Sequence, residues 1–272
     1  MAEFAQHIRV TILGCGSSGG VPRVGNQWGV CDPAEPKNRR RRCSLLISGY
    51  RDDPKKVTQV LIDTGCDMRE QLLDANVSRL DGVFYTHEHA DHTHGIDDLR
   101  ALALSNQKRI DVYFGQRAGE RIKHNFSYCF SSPKNSGYPP ILNAHQITHG
   151  KPVNVAGEGG TITLLPIEQL HGNITTYGFR IADFMYSCDV SGFEPASVDA
   201  LGGLEMWVID ALRPTPHPSH LSLPESLAWI ERIKPKDAIL TNLHNDMDFA
   251  TISKQTPDNV SVAYDGMTFD IS

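Results

Sequence analysis

Seven residues, Thr86-His87-Glu88-His89-Ala90-Asp91-His92, bring three imidazoles and two carboxylates together directly after the apolar run Gly82-Val83-Phe84-Tyr85. Packing gives no reason for such a density of titratable groups. If a strand ends at Tyr85, His87 and His89 lie two apart and point the same way, which suits two imidazoles on one ion. Asp91 and His92 fall where a helix begins. Carboxylate oxygen and neutral imidazole nitrogen are donors that zinc, manganese and iron accept. The alternative, a polar loop with a capping aspartate, explains Asp91 but not three histidines. The segment predicts half of a two-metal site held at the end of a strand.

The scaffold must come from the rest of the 272 residues. Runs rich in branched residues and bounded by Gly, Asp or Pro predict strands at 8–13, 44–48, 57–62, 82–86, 110–114, 161–166, 177–181, 184–187, 206–210, 238–241, 260–263 and 268–271. Helical spacing predicts helices at 67–75, with Asp67 as its cap, and at 91–105, 116–125, 195–201, 224–233 and 248–254. Residues 127–145, with Pro133, Gly137, Pro139 and Pro140, read as a long loop or lid. Strands crowd both ends, helices intervene, and no linker or repeat divides the chain. The expectation is one α/β domain over 1–272, two sheets packed face to face with helices outside.

A net charge of −6 excludes the broadly basic footprint of a duplex-binding protein. Arg39 to Arg42 is a local basic exception, read as a solvated loop face. Six scattered cysteines without a C-x-x-C pair argue for reduced thiols. No signal-like start is present and no apolar run approaches the ~20 residues that cross a bilayer, so a cytoplasmic chain with no membrane partner is expected. A homodimer is compatible with these features.

Further polar residues recur just beyond strands: Asp63, His171, Asp189 and His244. Singly, each fits a turn or a surface position. Together with the first motif they fit a site assembled on loops at strand ends. Gly14-x-Gly16-x-x-Gly19 formally matches a dinucleotide fingerprint, but Pro22 and Arg23 open no apolar helix and the acidic ribose partner is missing. Tight turns near the cleft are the better reading of that loop, and Ser17 and Ser18 in it are expected to contact substrate.

H-x-H-x-D-H, then a separate His, an Asp after a strand and a last His, resembles the metallo-β-lactamase superfamily of αββα hydrolases. The resemblance spans most of the chain. It implies that His87, His89 and His171 bind one divalent ion, that Asp91, His92 and His244 bind a second, and that Asp189 bridges them, with Asp63 supporting the site from behind. Gly14 to Pro22, Asn38-Arg39-Arg40 with Cys43-Ser44, and Tyr264-Asp265-Gly266-Met267 resemble, more narrowly, the PhnP-type phosphodiesterases, which open cyclic ribose phosphates. Two departures stand out. Where those proteins carry a C-x-C-x-x-C run for a structural zinc, this chain has Asn26, Trp28 and Cys31, so no third metal is expected. Thr241-Asn242-Leu243-His244 places Asn where relatives have His; His244, the nearest imidazole, takes the assignment, with Asn242 the alternative.

Relatives also place a non-ligand histidine against the phosphate, which His220 in His217-Pro218-Ser219-His220 best matches. With an ordinary pKa near ~6.5, histidine can neutralise phosphate and protonate a leaving alkoxide. For His217 a helix-capping loop is the preferred reading. The resemblance thus implies two ions (zinc or manganese, with iron allowed) that activate a shared water, with Asp91 and His220 as catalytic residues. The implied substrate is a small cyclic ribose phosphate or nucleotide-like diester. A tRNase Z-like RNA 3′-processing nuclease and a nucleotide-binding metalloprotein with little turnover are the alternatives.

Overall fold

A computed structural model describes residues 3–132, 134 and 137–271. Strands β1 (His7–Gly14), β2 (Ser44–Tyr50), β3 (Thr58–Ile62), β4 (Gly82–Phe84), β5 (Ile110–Phe114), β6 (Leu142–Gln146) and β14 (Met267–Ile271) form one sheet, ordered β14-β1-β2-β3-β4-β5-β6. Strands β7 (Val153–Gly157), β8 (Gly160–His171), β9 (Ile174–Ile181), β10 (Phe184–Ser187), β11 (Met206–Asp210), β12 (Asp237–Thr241) and β13 (Val260–Val262) form the other, in reverse chain order. Helices α1 (Met68–Asp74), α2 (Ala90–Thr93), α3 (Leu99–Ser105), α4 (Gln116–Asn125), α5 (Ser127–Phe130), α6 (Pro195–Asp199), α7 (Leu223–Ile233) and α8 (Phe249–Ser253) join them. This is the αββα sandwich.

Alternation along the strands decides which face meets which layer. Ile12, Leu45 and Ile62 are paired across β1, β2 and β3 and point into the core between the sheets. Their neighbours Leu13, Leu46 and Leu61 point the other way, into a second cluster with Met68, Leu72 and Leu99 of α1 and α3. Both faces of the first sheet are buried, as parallel or mixed sheets flanked by helices require.

Strand direction places the site. Pairing is parallel along β3-β4-β5-β6 and along β10-β11-β12-β13. β8 runs opposite to β9 and β9 opposite to β10, so β8 shares the direction of β10. The carboxyl ends of β3, β4, β8, β10, β11 and β12 therefore carry Asp63, His87, His171, Asp189, Asp210 and Asn242, and open α/β sheets present ligand sites at such ends.

Several expectations need correction. The helix expected at 91–105 is broken into α2, a 3-10 turn at Ile96–Asp98 and α3. Asp67 makes no cap hydrogen bond at α1; its carboxylate accepts from the backbone N–H and Nη1 of Arg42, at 2.9 and 3.0 Å. The expected loop 127–145 contains α5 and most of β6, and its Pro133, Asn135 and Ser136 lie outside the described residues. The arginine run is not a solvated face. Arg40 is buried, Arg41 pairs with Asp74 and Asp265, and Arg42 pairs with Asp67, which leaves only Arg39 exposed.

Candidate metal centre

Asp63 holds the histidine loop from beneath. It sits in the left-handed region at φ 64°, which aspartate tolerates better than most side chains, and is fully buried. Its carboxylate accepts from the Thr86 N–H and Oγ1 at 2.8 Å each and from His92 Nδ1 at 2.7 Å. With its proton directed to Asp63, Thr86 Oγ1 is left to accept from His87 Nδ1 at 2.9 Å. His171 Nδ1 donates to the Ser219 carbonyl at 2.6 Å. In all three rings the Nδ1–H is thus occupied and Nε2 is turned inward, as supporting hydrogen bonds orient metal-binding imidazoles.

Donor atoms of His87, His89, His171 and Asp189 all lie within 4.8 Å of one another. His87 Nε2 is 2.8 Å from His89 Nδ1, a distance the His89 Nδ1–H can bridge, and both nitrogens face the same pocket as the other donors. Asp189 Oδ2 lies 3.6 Å from His87 Nε2 and 3.7 Å from His171 Nε2. Its other oxygen, Oδ1, lies 3.4 Å from His92 Nε2, which is also 3.3 Å from Asp91 Oδ2. One carboxylate therefore borders two donor sets. This chemistry fits divalent ions: His87, His89, His171 and Asp189 in the first set, Asp91, His92 and Asp189 in the second.

Electrostatics agree with the geometry. Burial, reinforced by His92, holds the His87 pKa well below the ordinary value, and burial lowers His171 as well, so both are neutral donors. Burial also penalises charge on His92, but Asp189, Asp91 and Asp63 outweigh it and raise its pKa well above the ordinary value. Three carboxylates around one buried imidazole call for positive charge at that point.

His244 departs from expectation. β12 ends at Thr241, and Asn242 enters the left-handed region at φ 61°, which breaks the strand alternation and turns the Asn242 amide inward. Asn242 Nδ2 donates to Asp189 Oδ1 at 3.0 Å. His244 instead lies between the Arg23 guanidinium and Asp246, with Nδ1 3.0 Å from the latter carboxylate. Burial and then Arg23 lower its pKa. It lines the same cleft without joining either donor set.

His220 faces that cleft with a partner that sequence reasoning missed. Its Nδ1 is 2.8 Å from Asp210 Oδ2, and its ring meets His171 edge-on at 4.6 Å. Burial pushes the Asp210 carboxyl up to about 6, while His220 is raised because Asp210, then Asp189, outweigh its own burial. The motif's remaining acid is held as well: Glu88, with 10% of its side chain exposed, accepts from Arg117 Nε on α4 at 2.5 Å.

The cleft encloses about 440 Å³ between Ser17, Ser18, Arg23, Arg213, His217 and His220 and the donor groups. Ser17 Oγ is buried there and makes no hydrogen bond. Arg23 and Arg213 give it positive charge, which isolated arginines in loops do not announce in a sequence. Away from the cleft, Cys31 Sγ donates to the Asn245 carbonyl at 3.5 Å and lies 3.9 Å from Arg40 Nη1, and Arg40 Nη2 donates to Asn38 Oδ1 at 3.2 Å. All six cysteines are free thiols. No helix among the described residues is long and apolar enough to cross a membrane.

Comparison with known proteins bears on the fold and the family. The model of the beta-lactamase superfamily domain matches residues 58–242. A solved diphosphatase of the PhnP family is 30% identical, with a TM-score of 0.85 over 98% of each chain. An octanoyltransferase of Porphyromonas gingivalis is 30% identical over 264 residues, 96% of this chain but 51% of that protein. A ribonuclease Z of a Nostoc species is 30% identical over 134 residues, covering 48% of this chain and 38% of its own. The chain thus spans about half the length, or less, of these curated relatives.

Proposed function

We propose, from the premise that this chain belongs to the metallo-β-lactamase superfamily and within it to the PhnP family, that it hydrolyses a P–O bond in a small disubstituted phosphate. The favoured substrate is a cyclic ribose phosphate or nucleotide-like diester. The observation that carries the reading is the His220–Asp210 pair, set on the cleft wall against His171. An imidazolium there can protonate a departing ribose oxygen, and a carboxylate behind it holds the ring and its charge. Divalent ions bound in the donor sets would supply Lewis acidity and an activated water. Arg23 and Arg213 attract and orient the anionic phosphate. The diphosphatase at 30% identity acts, by its name, on a related linkage. The half-length match to ribonuclease Z keeps RNA processing as a competing substrate class.

The test is hydrolysis of a 2′,3′-cyclic ribose phosphate, bis-p-nitrophenyl phosphate and a tRNA precursor by protein reconstituted with zinc or manganese. Cleavage of the small esters without tRNA processing is expected. Processing of tRNA alone would transfer the function to the RNA class, and cleavage of none would refute it. His220→Ala should cost more with an alkoxide leaving group than with p-nitrophenolate, which needs no proton; equal losses would remove His220 from the acid role.

A further inference from the structure

The second donor set has no second histidine, because Asn242 stands where the imidazole was expected and His244 is engaged by Arg23 and Asp246. Another donor occupies that neighbourhood. Cys188, the residue after β10, is fully buried, and its Sγ donates to Asp189 Oδ1 at 3.1 Å. The same Oδ1 lies 3.4 Å from His92 Nε2. Sγ, the His92 ring nitrogen and the Asp189 carboxylate all fall within 4.8 Å of one another. Three donors of different chemistry thus surround one buried point, with Asp91 Oδ2 3.3 Å from the same imidazole nitrogen.

We infer that Cys188 is a thiolate ligand of the second metal position, and that its sulfur makes this position prefer zinc or cobalt to manganese. The inference rests on the metal-dependent reading above. Sulfur is a soft donor that suits zinc, whereas manganese is matched to carboxylate, carbonyl and water. On binding, the thiol proton and any proton on His92 Nε2 leave to solvent, and the Asp189 oxygen that accepted from Sγ becomes free to bind. A cysteine, an imidazole and carboxylates make an N/O/S set of the kind zinc accepts in tetrahedral sites. The amide of Asn242, which donates to Asp189 Oδ1, supports the bridging carboxylate from the side left empty by the missing imidazole.

Anaerobic titration of apo-protein with cobalt(II) separates the possibilities. The expected result is a sulfur-to-cobalt charge-transfer band in the near ultraviolet that grows with the second equivalent and is lost in Cys188→Ser, which still binds the first. Cys31→Ser, Cys43→Ser and Cys66→Ser should retain it. Zinc in the second position should be at least ~10-fold weaker in Cys188→Ser, the lower bound seen when even a residue supporting a ligand is removed. The preference of the second position for zinc over manganese should be smaller in Cys188→Ser than in the wild type. A second equivalent without the band, a band surviving Cys188→Ser, or a preference for zinc unchanged in Cys188→Ser would overturn the inference while leaving the hydrolase reading intact. Failure to bind cobalt or zinc at all would instead strike the metal-dependent function itself.

Discussion

Asp63 has no exposed surface, yet the arrangement of the histidine loop depends on it. Its carboxylate fixes both Thr86 and His92, so Asp63→Asn replaces an acceptor of the His92 proton with an amide that can turn a donor toward it. Metal affinity should fall by ~10–100-fold, as it does when supporting partners of ligands are lost. Competition with a chromophoric chelator measures this, and unchanged affinity would contradict the role. Asp210 acts on protonation. In the proposed acid role His220 must be protonated, so activity should be lost as pH rises through its pKa, and Asp210 is the main group that raises that pKa. Asp210→Asn should therefore move the alkaline limb of the kcat/KM profile to lower pH; a limb that stays in place would contradict the pairing. The sequence motif exposed His87 to His92, and strand-end placement exposed Asp63, His171 and Asp189. It could not show that Asn242 leaves the strand with φ 61°, the backbone turn that separates His244 from the donors. Nor could it pair Asp210 with His220, since many acids follow strands and only the fold brings this one to that ring.

Strands with two packed faces were legible because their side chains must alternate or run apolar. β5, β10 and β11 begin and end where periodicity placed them. β6 and β7 were missed, and both are edge strands. β6 buries only Leu142 and β7 only Val155, so little apolar pattern marks either segment in the sequence. The interior strands make the converse case. Leu61 on β3 is fully buried in the cluster under α1 and α3, and Leu61→Ala should destabilise the fold by about 2–5 kcal/mol in denaturant titration. A loss below about 0.5 kcal/mol would mean that this layer is not packed as described.

At the scale of the molecule, the two sheets contribute different halves of one centre. His87, His89, Asp91 and His92 follow β4 of the first sheet, whereas His171, Asp189, Asp210 and Asn242 end strands of the second. The shared Asp189 makes the donor sets interdependent, and His220 meets them only because the strand ends converge on a single edge. Two-sheet convergence also explains how a site so scattered in sequence becomes a single cleft with Arg23 and Arg213 on its wall. The central claim is that this convergence produces metal-dependent hydrolysis of phosphodiesters. The direct measurement is the rate of bis-p-nitrophenyl phosphate hydrolysis by chelator-stripped, zinc- or manganese-reconstituted and Asp189→Ala protein. Activity restored by metal in the wild type and reduced by at least about 10³-fold in Asp189→Ala is expected, a loss of about 4 kcal/mol in transition-state stabilisation. Hydrolysis that persists after stripping, or an Asp189→Ala variant as active as the wild type, would contradict it.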